Sequence, residues 1–251
     1  METFVTDGVE IAYEVIGHGE PILLIHGFAS NAYVNWRDTG WVRTLEKAQR
    51  SIILIDNRGH GRSEKLYDVK DYGAPIMATD AVALLDHLGL SRVDVMGYSM
   101  GARITAFLAI NHKAYVGRAI FAGLGINMVK GVGDPEQVAA ALEAENIDDI
   151  DNIGGRMFRY FAEQTKSDLK ALAACMRSSR QKITPEQLAS IEAQVLVAVG
   201  TEDAIGGSAT ELAALIPGGQ ALDIPGRDHM KAVGDKTFKQ GVVDFLAREN
   251  Q

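Results

Sequence analysis

The sequence predicts an α/β fold: a mostly parallel, twisted sheet flanked by helices, with a helical insertion above it. Three observations carry this. Apolar, β-branched runs alternate with segments of helical spacing along most of the 251 residues, the pattern of a doubly wound sheet. Gly97-Tyr98-Ser99-Met100-Gly101 stands between a strand-like run and a helix-like segment, where small neighbours let the chain reverse sharply around the serine. Asp203 and then His229 follow later strand-like runs, so the order is Ser, Asp, His.

The expected strands are Val9–Ile16, Pro21–His26, Ser51–Asp56, Arg92–Gly97, Val116–Ala122, Gln194–Gly200 and Gln220–Ile224. Ile22-Leu23-Leu24-Ile25 and Ile52-Ile53-Leu54-Ile55 are apolar at every position, as strands covered on both faces require. Helical spacing appears in Ala74–Leu88, Ala102–Asn111, Ala209–Leu215 and Lys236–Arg248. Residues 126–191 break the alternation. They hold no strand run, but Asp134-Pro135-Glu136 offers an N-cap, a first-turn proline and an early acid. Thr184-Pro185-Glu186-Gln187 adds a capping-box glutamine. This stretch is expected to form a helical cap, with residues 1–125 and 192–251 as the core.

Bulk properties narrow the function. With 47% hydrophobic and 23% charged residues, the composition is that of an ordinary globular protein. A net charge of −8 argues against nucleic acid or an anionic membrane as partner. No apolar run approaches the roughly 18 residues of a membrane span, and the N-terminus lacks a signal-peptide core, so a cytoplasmic location is expected. The single cysteine, Cys175, allows neither an intrachain disulfide nor a multi-cysteine metal site. No metal cluster or dinucleotide fingerprint appears, and no cofactor is expected.

A neutral serine hydroxyl is a poor nucleophile. It needs a base, and the base needs a group that fixes its tautomer. In open α/β sheets chemistry gathers at the carboxyl ends of strands. Ser99 is the candidate nucleophile and His229, in the loop after the last strand, the candidate base. Asp203, three residues beyond Val195–Gly200, is the candidate acid, preferred over Glu202 and Asp228. His26 and His60 are expected to make structural hydrogen bonds. An oxyanion needs two N–H donors. Met100, after the nucleophile, supplies one, and Phe28, in the loop after Pro21–His26, is the best choice for the other.

Together these residues resemble the α/β-hydrolase superfamily over nearly the whole chain. The resemblance rests on His26-Gly27-Phe28, Asp56-Asn57-Arg58-Gly59-His60-Gly61-Arg62-Ser63, the Gly97–Gly101 turn, Asp203 and His229. It implies that the Asp56 loop is architectural, that a cap follows the sixth strand, and that the first strand runs antiparallel to the rest. Haloalkane dehalogenases and epoxide hydrolases of this superfamily use an aspartate nucleophile, where this chain has Ser99. Lipases of the His-Gly-Gly-Gly type have glycine where this chain has Phe28. What remains includes carboxylesterases, enol-lactonases, haloperoxidase-like perhydrolases and carbon–carbon bond hydrolases. The resemblance therefore implies a serine hydrolase acting on a small-molecule ester or lactone. Carbon–carbon bond hydrolysis by the same triad and a non-turnover ligand receptor are the alternatives. Met157, Phe158 and Phe161 are candidate walls of the substrate pocket.

Overall fold

The computed structural model describes residues 1–248; the last three residues of the expected 192–251 core segment lie outside it. One eight-stranded sheet runs through the molecule. Its strands are β1 (Glu2–Thr6), β2 (Val9–Ile16), β3 (Glu20–Ile25), β4 (Arg50–Ile55), β5 (Val93–Tyr98), β6 (Val116–Ala122), β7 (Gln194–Gly200) and β8 (Gln220–Ile224). The spatial order is β1-β2-β4-β3-β5-β6-β7-β8. Every strand expected from the sequence is present to within one residue at each end.

The implied direction of the first strand needs correcting. β3 through β8 are parallel, and it is the second strand, β2, that opposes them. β1 pairs antiparallel with β2, and this second reversal returns β1 to the common direction. Asp7 and Gly8, which join the pair, both take positive φ, 49° and 75°, the turn geometry that matches strand twist.

The helices are α1 (Trp41–Lys47), α2 (Ala74–His87), α3 (Met100–Asn111), α4 (Asn127–Lys130), α5 (Pro135–Glu143), α6 (Ile153–Gln164), α7 (Leu169–Ser178), α8 (Pro185–Ala189), α9 (Ala209–Ala213), α10 (His229–Ala232) and α11 (Lys236–Leu246). Alternate side chains of one strand feed two separate cores. Leu23, Ile25, Ile53 and Ile55 pack with α2 and α3, while Ile22, Leu24, Ile52 and Leu54 pack with Trp41 of α1 and Phe238 of α11. This two-sided burial is why those runs are apolar throughout. Among the described residues no helix is long and apolar enough to cross a membrane.

Between β6 and β7 the described chain is helical, from α4 to α8. Asp134 and Thr184 cap α5 and α8 as expected, Thr184 in a full capping box. This segment is fastened to the core. Thr165 Oγ1 donates to the Ala29 carbonyl at 2.8 Å, and Ser178 Oγ to the Tyr72 carbonyl at 2.8 Å. The Asp56 carboxylate accepts from the N–H groups of Ala32 (2.7 Å) and Arg62 (2.8 Å), tying two loops at the carboxyl edge of the sheet.

The β5–α3 turn is sterically full. A Cβ on Gly97 would stand 2.0 Å from the Gly101 carbonyl oxygen, and one on Gly101 would stand 2.0 Å from that of Ile25. Backbone cannot yield as a flexible side chain does. Gly101→Ala is therefore expected to destabilise the protein by about 2 kcal/mol or more, lowering Tm by about 5 °C or more. Thermal unfolding measures it, and an unchanged Tm would contradict this packing.

Candidate active site

Ser99 joins β5 to α3 with φ 56° and ψ −110°, a strained conformation for a residue with a side chain. The turn directs its hydroxyl toward the loop after β8, where Oγ lies 3.0 Å from His229 Nε2. His229 Nδ1 lies 2.7 Å from Asp203 Oδ2. The three residues follow β5, β7 and β8 at one edge of the sheet. The Asp203 side chain is fully buried. Its Oδ1 accepts the N–H groups of Ile205 (3.0 Å) and Gly206 (2.8 Å), leaving Oδ2 for the imidazole. With Nδ1–H donating to Asp203, the lone pair of Nε2 faces the serine hydroxyl. A serine so placed can give up its proton as Oγ attacks an electrophilic carbon.

The competing acids are accounted for. Glu202 is exposed, and Asp228 caps α10, accepting from the N–H groups of Met230 and Lys231. Sequence reasoning passed over Tyr98, whose buried phenol donates to the His229 carbonyl at 2.5 Å and so fixes the histidine loop against β5. Burial first, then the nearby Asp203 and Asp228 charges, hold this phenol well above its ordinary pKa, so it remains a donor.

Neither the Phe28 N–H nor the Met100 N–H has a hydrogen-bond partner among the described residues. Met100 opens α3, and the first N–H groups of a helix have no acceptor within it. The Gly27 N–H donates to Asn35 Oδ1 at 2.9 Å. A Cβ on Gly27 would stand 3.5 Å from that of Ser99, so the loop carrying Phe28 runs beside the serine. The Phe28 ring meets Phe158 and His60 edge-on, at 5.7 and 5.8 Å. His26 and His60 are buried beneath, with Nδ1 bonded to the carbonyls of Gly27 (2.8 Å) and Arg58 (3.0 Å).

Two cavities meet at Ser99 and Phe28. One of about 210 Å³ is lined by Tyr98, His229, Met230, Val34 and Phe161. The other, about 40 Å³, is lined by Met100, Leu124, Met176, Arg103 and Arg180. Phe161 thus walls a cavity at the serine and Phe158 packs on Phe28. Met157 lines neither cavity and is 39% exposed, because it lies on the outward face of α6. A larger cavity, about 790 Å³, is lined by Arg37, Arg62 and Lys65 among others but includes neither Ser99 nor His229.

This sheet, with a serine elbow, a histidine and a buried aspartate at its carboxyl edge, defines the class of α/β hydrolases. Residues 20–148 match the model of the alpha/beta hydrolase fold, and the chain belongs to that family. It is 30% identical over 141 residues to a soluble epoxide hydrolase of Corynebacterium sp. (strain C12), covering 56% of this chain and 47% of that protein. It is 34% identical over 126 residues to a non-heme haloperoxidase of Rhodococcus erythropolis, covering 48% of this chain and 43% of that protein. The chain thus spans less than half the length of these curated relatives. Over 98% of this chain and 100% of the other, the fold matches the enol-lactonase of Burkholderia xenovorans LB400, with a TM-score of 0.81 and 20% identity, a likeness of fold.

Proposed function

We propose that this protein is a serine hydrolase that cleaves a carboxylic ester or lactone of small to medium size through an acyl-enzyme. The observation that carries the reading is the unbroken chain from Asp203 to His229 to Ser99, at 2.7 and 3.0 Å. In this reading Ser99 Oγ bonds to the ester carbonyl carbon as its proton passes to His229 Nε2. The carbonyl oxygen becomes an oxyanion facing the N–H groups of Phe28 and Met100. His229 then returns the proton to the leaving oxygen and the carbon–oxygen bond breaks. Water, deprotonated by the same nitrogen, releases the acid. Residues 126–191 act as the cap, with Phe158 and Phe161 over the serine. Ser99 at the elbow sets the chain apart from aspartate-nucleophile epoxide opening.

Hydrolysis of p-nitrophenyl esters from acetate to decanoate tests this. Turnover that depends on Ser99 is expected, and its absence in folded protein would overturn the reading. Asp203→Asn is expected to lower kcat by about 10³- to 10⁴-fold with little change in KM, because the amide favours the wrong imidazole tautomer. Steady-state kinetics check it, and a loss under tenfold would remove Asp203 from the mechanism.

A further inference from the structure

Among the described residues four arginine side chains are buried: Arg50, Arg58, Arg103 and Arg159. Three of them meet carboxylates. Arg50 pairs with Asp94, Arg58 grips both oxygens of Asp80 at 2.7 Å, and Arg159 meets Glu163 at 2.6 Å. Arg103, 3% exposed, has no carboxylate partner among the described residues. Its Nη1 donates to the carbonyls of Met128 and Gln181. Its Nε and Nη2 have no partner there, yet packing does not close them off. Arg103 lines the 40 Å³ cavity at Ser99.

Arg180 lines that same cavity. It is half-buried, with Nη1 on the Val132 carbonyl. The carboxylate nearest in effect, Asp134, caps α5 by accepting from the Glu136 N–H at 2.9 Å. Two guanidinium groups thus line one small cavity that no carboxylate side chain lines, an arrangement that desolvation and like-charge repulsion both disfavour. Burial, and then the Arg180 charge, push the Arg103 guanidinium down to about 10, which still leaves it cationic at neutral pH. A carboxylate fits the planar donor fork of arginine and supplies the missing charge.

We infer that this cavity is an anion subsite in which Arg103 and Arg180 bind a carboxylate on the acyl part of the substrate, making half-esters of short dicarboxylic acids the preferred substrates. The assignment to the acyl part rests on the serine-hydrolase reading; the anion subsite itself does not. His229 lines the other cavity, so the leaving oxygen that takes its proton departs on that side and the acyl chain lies on the arginine side. Arg103 follows Ser99 by about one turn of α3, and both line this cavity, so one acyl chain can meet both. Met100, Leu124 and Met176 offer apolar surface to its methylenes.

The experiment compares monoethyl and diethyl glutarate as substrates of the wild type, Arg103→Gln, Arg180→Gln and Ser99→Ala. It also measures the Tm shift that glutarate itself produces in each. The wild type is expected to favour the monoester in kcat/KM by about tenfold or more, and each arginine variant to lose most of that preference, read as the ratio of the two kcat/KM values within the same variant. Glutarate is expected to raise the Tm of wild type and Ser99→Ala but not of Arg103→Gln. Equal rates on the two esters in the wild type, or no glutarate shift, would overturn the inference without recourse to any variant that fails to fold. A glutarate shift lost in Arg103→Gln, with no Ser99-dependent turnover, would uphold the subsite and overturn the hydrolase reading instead.

Discussion

Replacing Ser99 by alanine is expected to lower kcat for ester hydrolysis by about five powers of ten while Tm moves by no more than about 3 °C. Five powers of ten correspond to about 7 kcal/mol of barrier, the advantage of an intramolecular nucleophile and an acyl-enzyme over direct attack by water. The remaining activity would come from the unbonded N–H groups of Phe28 and Met100 and from water held by His229. Stability changes little because the substitution removes one hydrogen bond, at 3.0 Å, worth about 1 kcal/mol, and keeps the strained backbone. Ser99→Gly separates the two effects. Glycine tolerates φ 56° without a Cβ penalty, so this variant is expected to be equally inactive but more stable than Ser99→Ala by about 1 kcal/mol. Kinetics on a p-nitrophenyl ester and denaturant melts of the three proteins give both numbers. A loss of less than tenfold in Ser99→Ala would mean that the reaction bypasses this serine.

Ser99, Asp203 and His229 were legible in the sequence because each lies within a few residues of a recognisable strand end. A parallel sheet brings its carboxyl ends to one edge. β1 was not read, because Phe4 is its single buried residue, which leaves no alternating pattern; the Asp7-Gly8 turn was the available signal. α1 was missed for a similar reason: it spans seven residues and starts at Gly40 with no side-chain cap. Met100 and Gly101 read as the end of the turn, yet α3 begins at Met100, so the nucleophile itself occupies the N-cap. The pairing of Arg103 with Arg180 has no sequence signature. Arg103 sits within α3 and Arg180 just beyond α7, each an ordinary cation in the sequence. What distinguishes Arg103 from Arg50, Arg58 and Arg159 is a carboxylate absent from its surroundings, which only the packing of α3 against the 126–191 segment defines.

Acid is expected to unfold the protein through two histidines that take no part in the triad. His26 Nε2 accepts the Asn57 N–H at 3.0 Å while Nδ1 faces the Gly27 carbonyl. Only the neutral ring can make both bonds. The His60 ring centroid lies 5.3 Å from that of His26, and a charge on one disfavours a charge on the other. Burial is the main reason that His26 is lowered to about 4. Burial and then the neighbouring His26 lower His60 to about 3. In the unfolded chain both titrate near 6.5. Between pH 6.5 and 3 the unfolded state therefore binds more protons than the folded one, and stability falls as pH falls. The full contributions, about 3 and about 5 kcal/mol, are present above pH 6.5 and are gone below the folded-state values. Asp80, raised chiefly by burial against the pull of Arg58, acts in the opposite sense. At pH 4.5 the unfolding free energy is expected to lie about 5 kcal/mol below its value at pH 7, a large share of the 5–15 kcal/mol typical of a whole protein. Urea melts at pH 7, 5.5 and 4.5 measure this. His60→Asn is expected to reduce the slope by about half, whatever its stability at pH 7, because the slope counts protons and not contacts. A flat profile in the wild type would show that these histidines take up protons in the fold as readily as in the unfolded chain.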